Sequence, residues 1–90
     1  MNMNDRWSVN LYIAEVDGQT HAEARLVMPG GEDELVGRGE ARRNPADREI
    51  TLIGEQIAAA RALSDLAGRL LHTAATGIEG MTHERAHLHR

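Results

Sequence analysis

Arg6, Arg25, Arg38 and Arg42 fall on one side of three short alternating segments, and Arg43 and Arg48 follow close behind. Guanidinium groups presented this way suit phosphate contacts, because each offers N–H donors in a fixed fork and stays charged at physiological pH. Contacts of this kind fix the position of a nucleic acid without reading its sequence. Glu23 and Glu40 lie on the same side. The same pattern therefore also describes a solvated sheet face laced with cross-strand Arg–Glu pairs, each contributing ~0.2–1 kcal/mol. Stacking of single-stranded RNA needs several exposed aromatics, and on this face Tyr12 stands alone.

Other chemistry is sparser. His83, His87 and His89, with Glu84 between them, could offer metal ligands if the segment were helical, since His83 and His87 are four apart. The segment reads as an extended terminal tail with no third buried ligand, so no metal site is expected. Ser64 and Asp65 lie beside each other, but His72 is eight residues from Ser64, about 12 Å along a helix and beyond hydrogen-bonding reach. With neither a G-x-S-x-G elbow nor a phosphate-binding P-loop, no enzymatic activity, cofactor or small-molecule substrate is expected. Arg61, Asp65 and Arg69, four apart, read as solvent-facing helix pairs that could also meet a partner subunit.

Ninety residues make one small domain. A chain this short buries only about 60% of the surface its unfolded state exposes, and its apolar residues are rich in alanine, with no phenylalanine. Thin cores are often completed by a second copy, which leads us to expect a homodimer. The net charge is −4, from 14 acids against 10 bases, every base an arginine. An acidic total argues against indiscriminate binding to phosphate backbones. The absence of cysteine excludes disulfides, thiolate metal sites and a cysteine nucleophile. With neither a signal peptide nor an apolar run of ~20 residues, the reading is a cytoplasmic protein with no membrane association.

The elements that must position these residues follow from periodicity. Residues 6–16 alternate with Trp7, Val9, Leu11 and Ile13 on one face, the mark of a half-buried strand. Asp17-Gly18 favours a tight hairpin turn, and 20–28 forms the next strand with Ala22, Ala24, Leu26 and Met28 inward. A third strand over 34–43 turns Leu35, Gly37, Gly39 and Ala41 inward, the glycines implying close approach of a helix or of Trp7. Asn44-Pro45-Ala46-Asp47 breaks the chain. A long amphipathic helix then runs from Thr51, its expected cap, to about residue 76, with Gly77 as the stop. Its predicted sheet-facing stripe is Ile53, Ile57, Ala60, Leu63, Ala67, Leu70, Leu71 and Ala74. Residues 78–90 form a tail or short strand. The fold class is α+β: a three-stranded antiparallel sheet in β-β-β-α order, covered on one face by the helix as a two-layer sandwich.

Trp7 with its alternating strand, Leu35-Val36-Gly37, Ala41-Arg42, Asn44-Pro45-Ala46-Asp47, Ile53-Gly54, the run Arg61 to Leu66, and Ile78-Glu79 followed by Thr82-His83 together carry a resemblance. The chain resembles a family of small actinobacterial proteins of unknown function described as double-stranded-RNA-binding-domain-like, which includes a dormancy-associated mycobacterial member. The resemblance covers about Arg6 to Leu88. It implies a dimeric α+β fold similar to ribosome hibernation-promoting factors, which bind the small ribosomal subunit; their ribosome-facing surfaces are basic, whereas this chain is acidic overall. The expected function is a non-enzymatic stress or dormancy protein that binds the ribosome or structured RNA through Arg6, Arg25, Arg38, Arg42, Arg43 and Arg48. The alternative expectation is a protein-interaction or structural homodimer with no nucleic-acid role.

Overall fold

The computed structural model describes residues 6–30, 34–42 and 51–82. Strands β1 (Ser8–Val16), β2 (Gln19–Val27) and β3 (Glu34–Arg42) precede one helix, α1 (Thr51–Thr82). The strands form an antiparallel sheet in the order β1-β2-β3, and α1 lies across one face, as the alternation and the α+β reading require. Asp17 and Gly18 both take positive φ, 51° and 76°, the two-residue turn whose twist suits a hairpin.

The pairing runs in straight rows. Ala22 stands between Ile13 and Gly39, Ala24 between Leu11 and Gly37, and Leu26 between Val9 and Leu35. Residues directly opposite one another share a face, so these rows make the inner surface of the sheet. Thr20, Ala22, Ala24 and Leu26 are buried beneath α1. Gly37 and Gly39 explain how the helix comes so close. A side chain on Gly37 would collide with the Ala62 carbonyl and the Leu66 backbone, and one on Gly39 with the Ala58 carbonyl and the Ala62 nitrogen.

That close approach corrects the expected helix stripe. The residues buried against the sheet are Ala58, Ala62 and Leu66, whereas Ile53, Ile57 and Leu63 remain 40–50% exposed. Backbone-to-backbone packing admits only small side chains between helix and strand, so alanines take the contact and the bulkier aliphatics are turned aside. The helix also continues past Gly77 to Thr82, and residues 78–82 are therefore helical rather than part of a tail. A glycine ends a helix when it adopts a left-handed conformation; among the described glycines Gly18 and Gly30 have positive φ, and Gly77 does not. Thirty-two residues make a helix about 48 Å long, longer than nine-residue strands of about 30 Å, and its C-terminal part overhangs the sheet.

β2 is shifted by one residue from the expected 20–28, β3 begins at Glu34 as expected and is described to Arg42, and β1 begins at Ser8 rather than at Arg6. The Asn44-Pro45-Ala46-Asp47 turn, Arg43, Arg48, His83, His87 and His89 lie outside the described residues.

Candidate functional site

Three surfaces are candidates: the outer sheet face, the edge of β3 beneath α1, and the inner face of β1. On the outer face the expected arginines Arg25, Arg38 and Arg42 do share one side, since they alternate with the inward residues of their strands. Arg6, exposed, precedes β1.

Each of two arginines is held by acids. Arg38 Nε lies 3.3 Å from Glu23 Oε1, its directly opposite residue on β2. Arg25 reaches Glu23 Oε2 at 3.0 Å and Glu34 Oε1 at 3.8 Å, and its guanidinium sits 5.1 Å from the centre of the Tyr12 ring. His21 Nδ1 is 3.4 Å from Glu40 Oε1. The hydrogen bond from Arg25, helped by its charge and by Arg38, holds the Glu23 carboxyl below its ordinary range. The same pairing pushes Arg25 further up. Three arginines and three glutamates thus share the face, and an incoming phosphate must compete with carboxylates already in place.

The β3 edge uses residues that sequence spacing had marked only as surface pairs. Arg61 donates from Nη1 to the Glu40 carbonyl at 2.7 Å. Asp65 Oδ2 accepts the Arg38 backbone N–H at 2.8 Å and the Arg69 Nε–H at 3.0 Å. Two side chains of α1 therefore satisfy edge groups that a further strand would otherwise take, which blunts this side of the sheet against strand addition. The spacing of 27 and 21 residues between these partners leaves no local signal in the chain. An open cleft of about 820 Å³ lies alongside, bounded by Arg38, Arg61, Asp65 and Arg69, with Ser64 and His72 two turns apart along its helix wall.

Asp65 is held below the usual carboxylate range, first by the Arg38 backbone N–H and then by Arg69. A depressed folded-state pKa stabilises the fold above the unfolded value of about 3.9 and loses that contribution as pH falls through the folded value. Asp65→Ala is therefore expected to lower Tm by several degrees at pH 7. The gap to wild type should narrow as pH falls below about 3.9, as thermal circular dichroism across pH will show; a gap that does not change with acidification refutes the role of the charge.

The third surface is apolar. Val9, Leu11 and Ile13 stand opposite Leu26, Ala24 and Ala22, yet they are 41–43% exposed while those partners are at most 4% exposed. Leu63 projects from the flank of α1 opposite Arg61 and Asp65, because residues 61 and 63 are turned about 100° to either side of Ala62. An apolar trough thus runs between β1 and that flank.

Among the described residues, no group of three or more His, Asp or Glu side chains could hold a metal ion, and no helix is long and apolar enough to cross a membrane.

The fold and surfaces define a class: a small β-β-β-α sandwich whose helix covers two strands of three. The chain belongs to the Rv2632c-like family, which it matches over residues 5–87. It is 49% identical over 82 residues to uncharacterized protein Mb1767 of Mycobacterium bovis, spanning 91% of this chain and 85% of that one. It is 43% identical over 76 residues to uncharacterized protein Rv2632c of Mycobacterium tuberculosis, spanning 84% and 80%. The crystal structure of Rv2632c superposes with a TM-score of 0.80 at 40% identity, covering 92% of this chain and 96% of that one.

Proposed function

We propose that this protein is a non-enzymatic, cytoplasmic interaction module that works as a homodimer joined through the inner face of β1. The observation that carries this reading is an inverted core. The buried apolar residues described in one copy are five alanines and two leucines, while Trp7, Val9, Leu11, Ile13 and Leu63 are 41–51% exposed. A self-sufficient monomer buries its large aliphatics first, and contiguous exposed apolar patches mark interaction sites. A second copy is the favoured occupant. The inner row Val9-Leu11-Ile13 is uncharged, so two copies can meet about a two-fold axis without opposing like charges. The blunted β3 edge and covered inner faces of β2 and β3 leave β1 as the side where the sheet can extend. Sedimentation equilibrium is the test; a monomer at tens of micromolar refutes the dimer.

A second reading has its own observation. Arg38 and Arg42 are exposed and Arg25 is half-buried on the outer face, which dimerisation through the inner face leaves open. This arrangement supports binding of the ribosome or structured RNA by a double-stranded-RNA-binding-domain-like, stress- or dormancy-associated protein of the hibernation-factor kind. In sucrose gradients, comigration with ribosomes is then expected at 50 mM salt and its loss near 200 mM, because phosphate contacts release counterions. The pair Arg38→Glu and Arg42→Glu is expected to abolish comigration at both salts. Comigration that survives both the salt and the double variant rules out this face.

A further inference from the structure

The cleft between the β3 edge and α1 is assigned to neither reading. Its walls carry three cations, Arg38, Arg61 and Arg69, against two carboxylates, Glu34 and Asp65. With the Glu23 carboxylate that holds Arg38, cations and carboxylates balance there, in a chain whose total charge is −4. Its volume, about 820 Å³, falls within the range of small-ligand sites, roughly 300–1,000 Å³.

The arginines are oriented by bonds that leave their forks available. Arg38 and Arg69 are held through Nε, to Glu23 and Asp65 respectively, so neither bond uses their terminal N–H groups. Arg61 is tethered by Nη1 to the Glu40 carbonyl. Guanidinium forks match the tetrahedral oxygens of phosphate, and charge-assisted bonds to them are roughly twice as strong as neutral ones.

Gly68 is the independent observation. Glycine inside a helix costs about 1 kcal/mol relative to alanine. Gly37 and Gly39 have a packing reason, but a Cβ added to Gly68 would meet nothing within 4 Å. Gly77 is equally open but does not line the cleft. Gly68 does line it, and its missing side chain keeps the floor open beside the arginines.

We propose that this cleft binds a small phosphomonoester, with Arg38, Arg61 and Arg69 gripping the phosphate and the organic part lying over Gly68. The site is independent of the dimer interface and shares Arg38 with the outer face.

The test is an NMR titration of the full chain with ribose 5-phosphate, inorganic phosphate, ribose and a short RNA duplex at constant ionic strength. Saturating shifts at the Gly68 and Asp65 amides and at the Arg61 and Arg69 Nε groups are expected with ribose 5-phosphate, and none with ribose. Equal binding of inorganic phosphate assigns the site to the phosphate group itself; tighter binding of the ester assigns it to the monoester. Gly68→Leu, whose side chain enters open space and whose helical circular dichroism should be retained, is expected to weaken binding at least 10-fold. The proposal is overturned by shifts that do not saturate, by shifts that Gly68→Leu leaves unchanged, or by a response to the RNA duplex alone.

Discussion

Replacing Gly39 with valine is expected to unfold the protein or bring it to the brink of unfolding. A Cβ at this position falls 2.7 Å from the Arg61 Cβ and closer still to the Ala58 carbonyl and the Ala62 nitrogen. Two of these three atoms belong to the helix backbone, so no rotamer change relieves the collision, and α1 must lift off the sheet. Gly39 does not occupy a left-handed conformation, and the cost is therefore steric rather than torsional. Overpacking a core costs about 1–3 kcal/mol when side chains can adjust; here backbone must move, which puts the loss at ~3 kcal/mol or more. For small domains, total stability starts at about 5 kcal/mol. Urea unfolding followed by circular dichroism is expected to show the midpoint falling by more than half. Gly68→Ala, where the added Cβ is unopposed, is the control and should leave the midpoint unchanged or higher. A Gly39→Val protein as stable as wild type contradicts the contact between β3 and α1.

The strands were legible because alternation has a period of two and each strand obeys it. Ala22, Ala24 and Leu26 on β2 are inward in both sequence and structure, and Asp17-Gly18 announces the turn it makes. Gly37 and Gly39 were also legible as a point of close approach. The helix face was not. Several apolar stripes run along a helix this rich in alanine, and choosing the bulkiest selected Ile53, Ile57 and Leu63, whereas the glycines of β3 require the smallest. That requirement links residues more than 18 positions apart, so no window along α1 contains it.

The outer arginines could be placed from parity alone, and Glu23 and Glu40 with them. What sequence could not supply was the bond from Asp65 to the Arg38 backbone or from Arg61 to the Glu40 carbonyl, since the receiving groups are peptide atoms common to every residue. Nor could it show that one inner row lies uncovered. A helix about 10 Å across covers roughly two strands spaced about 4.8 Å apart. Drawn toward β3 by the glycines, α1 leaves the third.

That uncovered row gives the second large expected effect. Leu11→Glu should leave each copy folded, because Leu11 is 42% exposed and its neighbour Ala24, not Leu11 itself, is sealed beneath the helix. In the proposed dimer the substitution occurs twice, removing two leucines and placing two carboxylates in an apolar contact. Burying an unpaired charge is far costlier than losing a methylene. The dissociation constant is expected to rise at least 100-fold, which corresponds to about 2.7 kcal/mol. Sedimentation equilibrium then finds a monomer at concentrations where wild type is dimeric, with unchanged far-ultraviolet circular dichroism. Tyr12→Glu is the counterpart on the outer face: Tyr12 pairs in register with Glu23, its ring lies beneath Arg25, and association through the inner face should survive its loss. If Tyr12→Glu dissociates the protein and Leu11→Glu does not, the two faces of β1 exchange roles and the arginine surface becomes the interface.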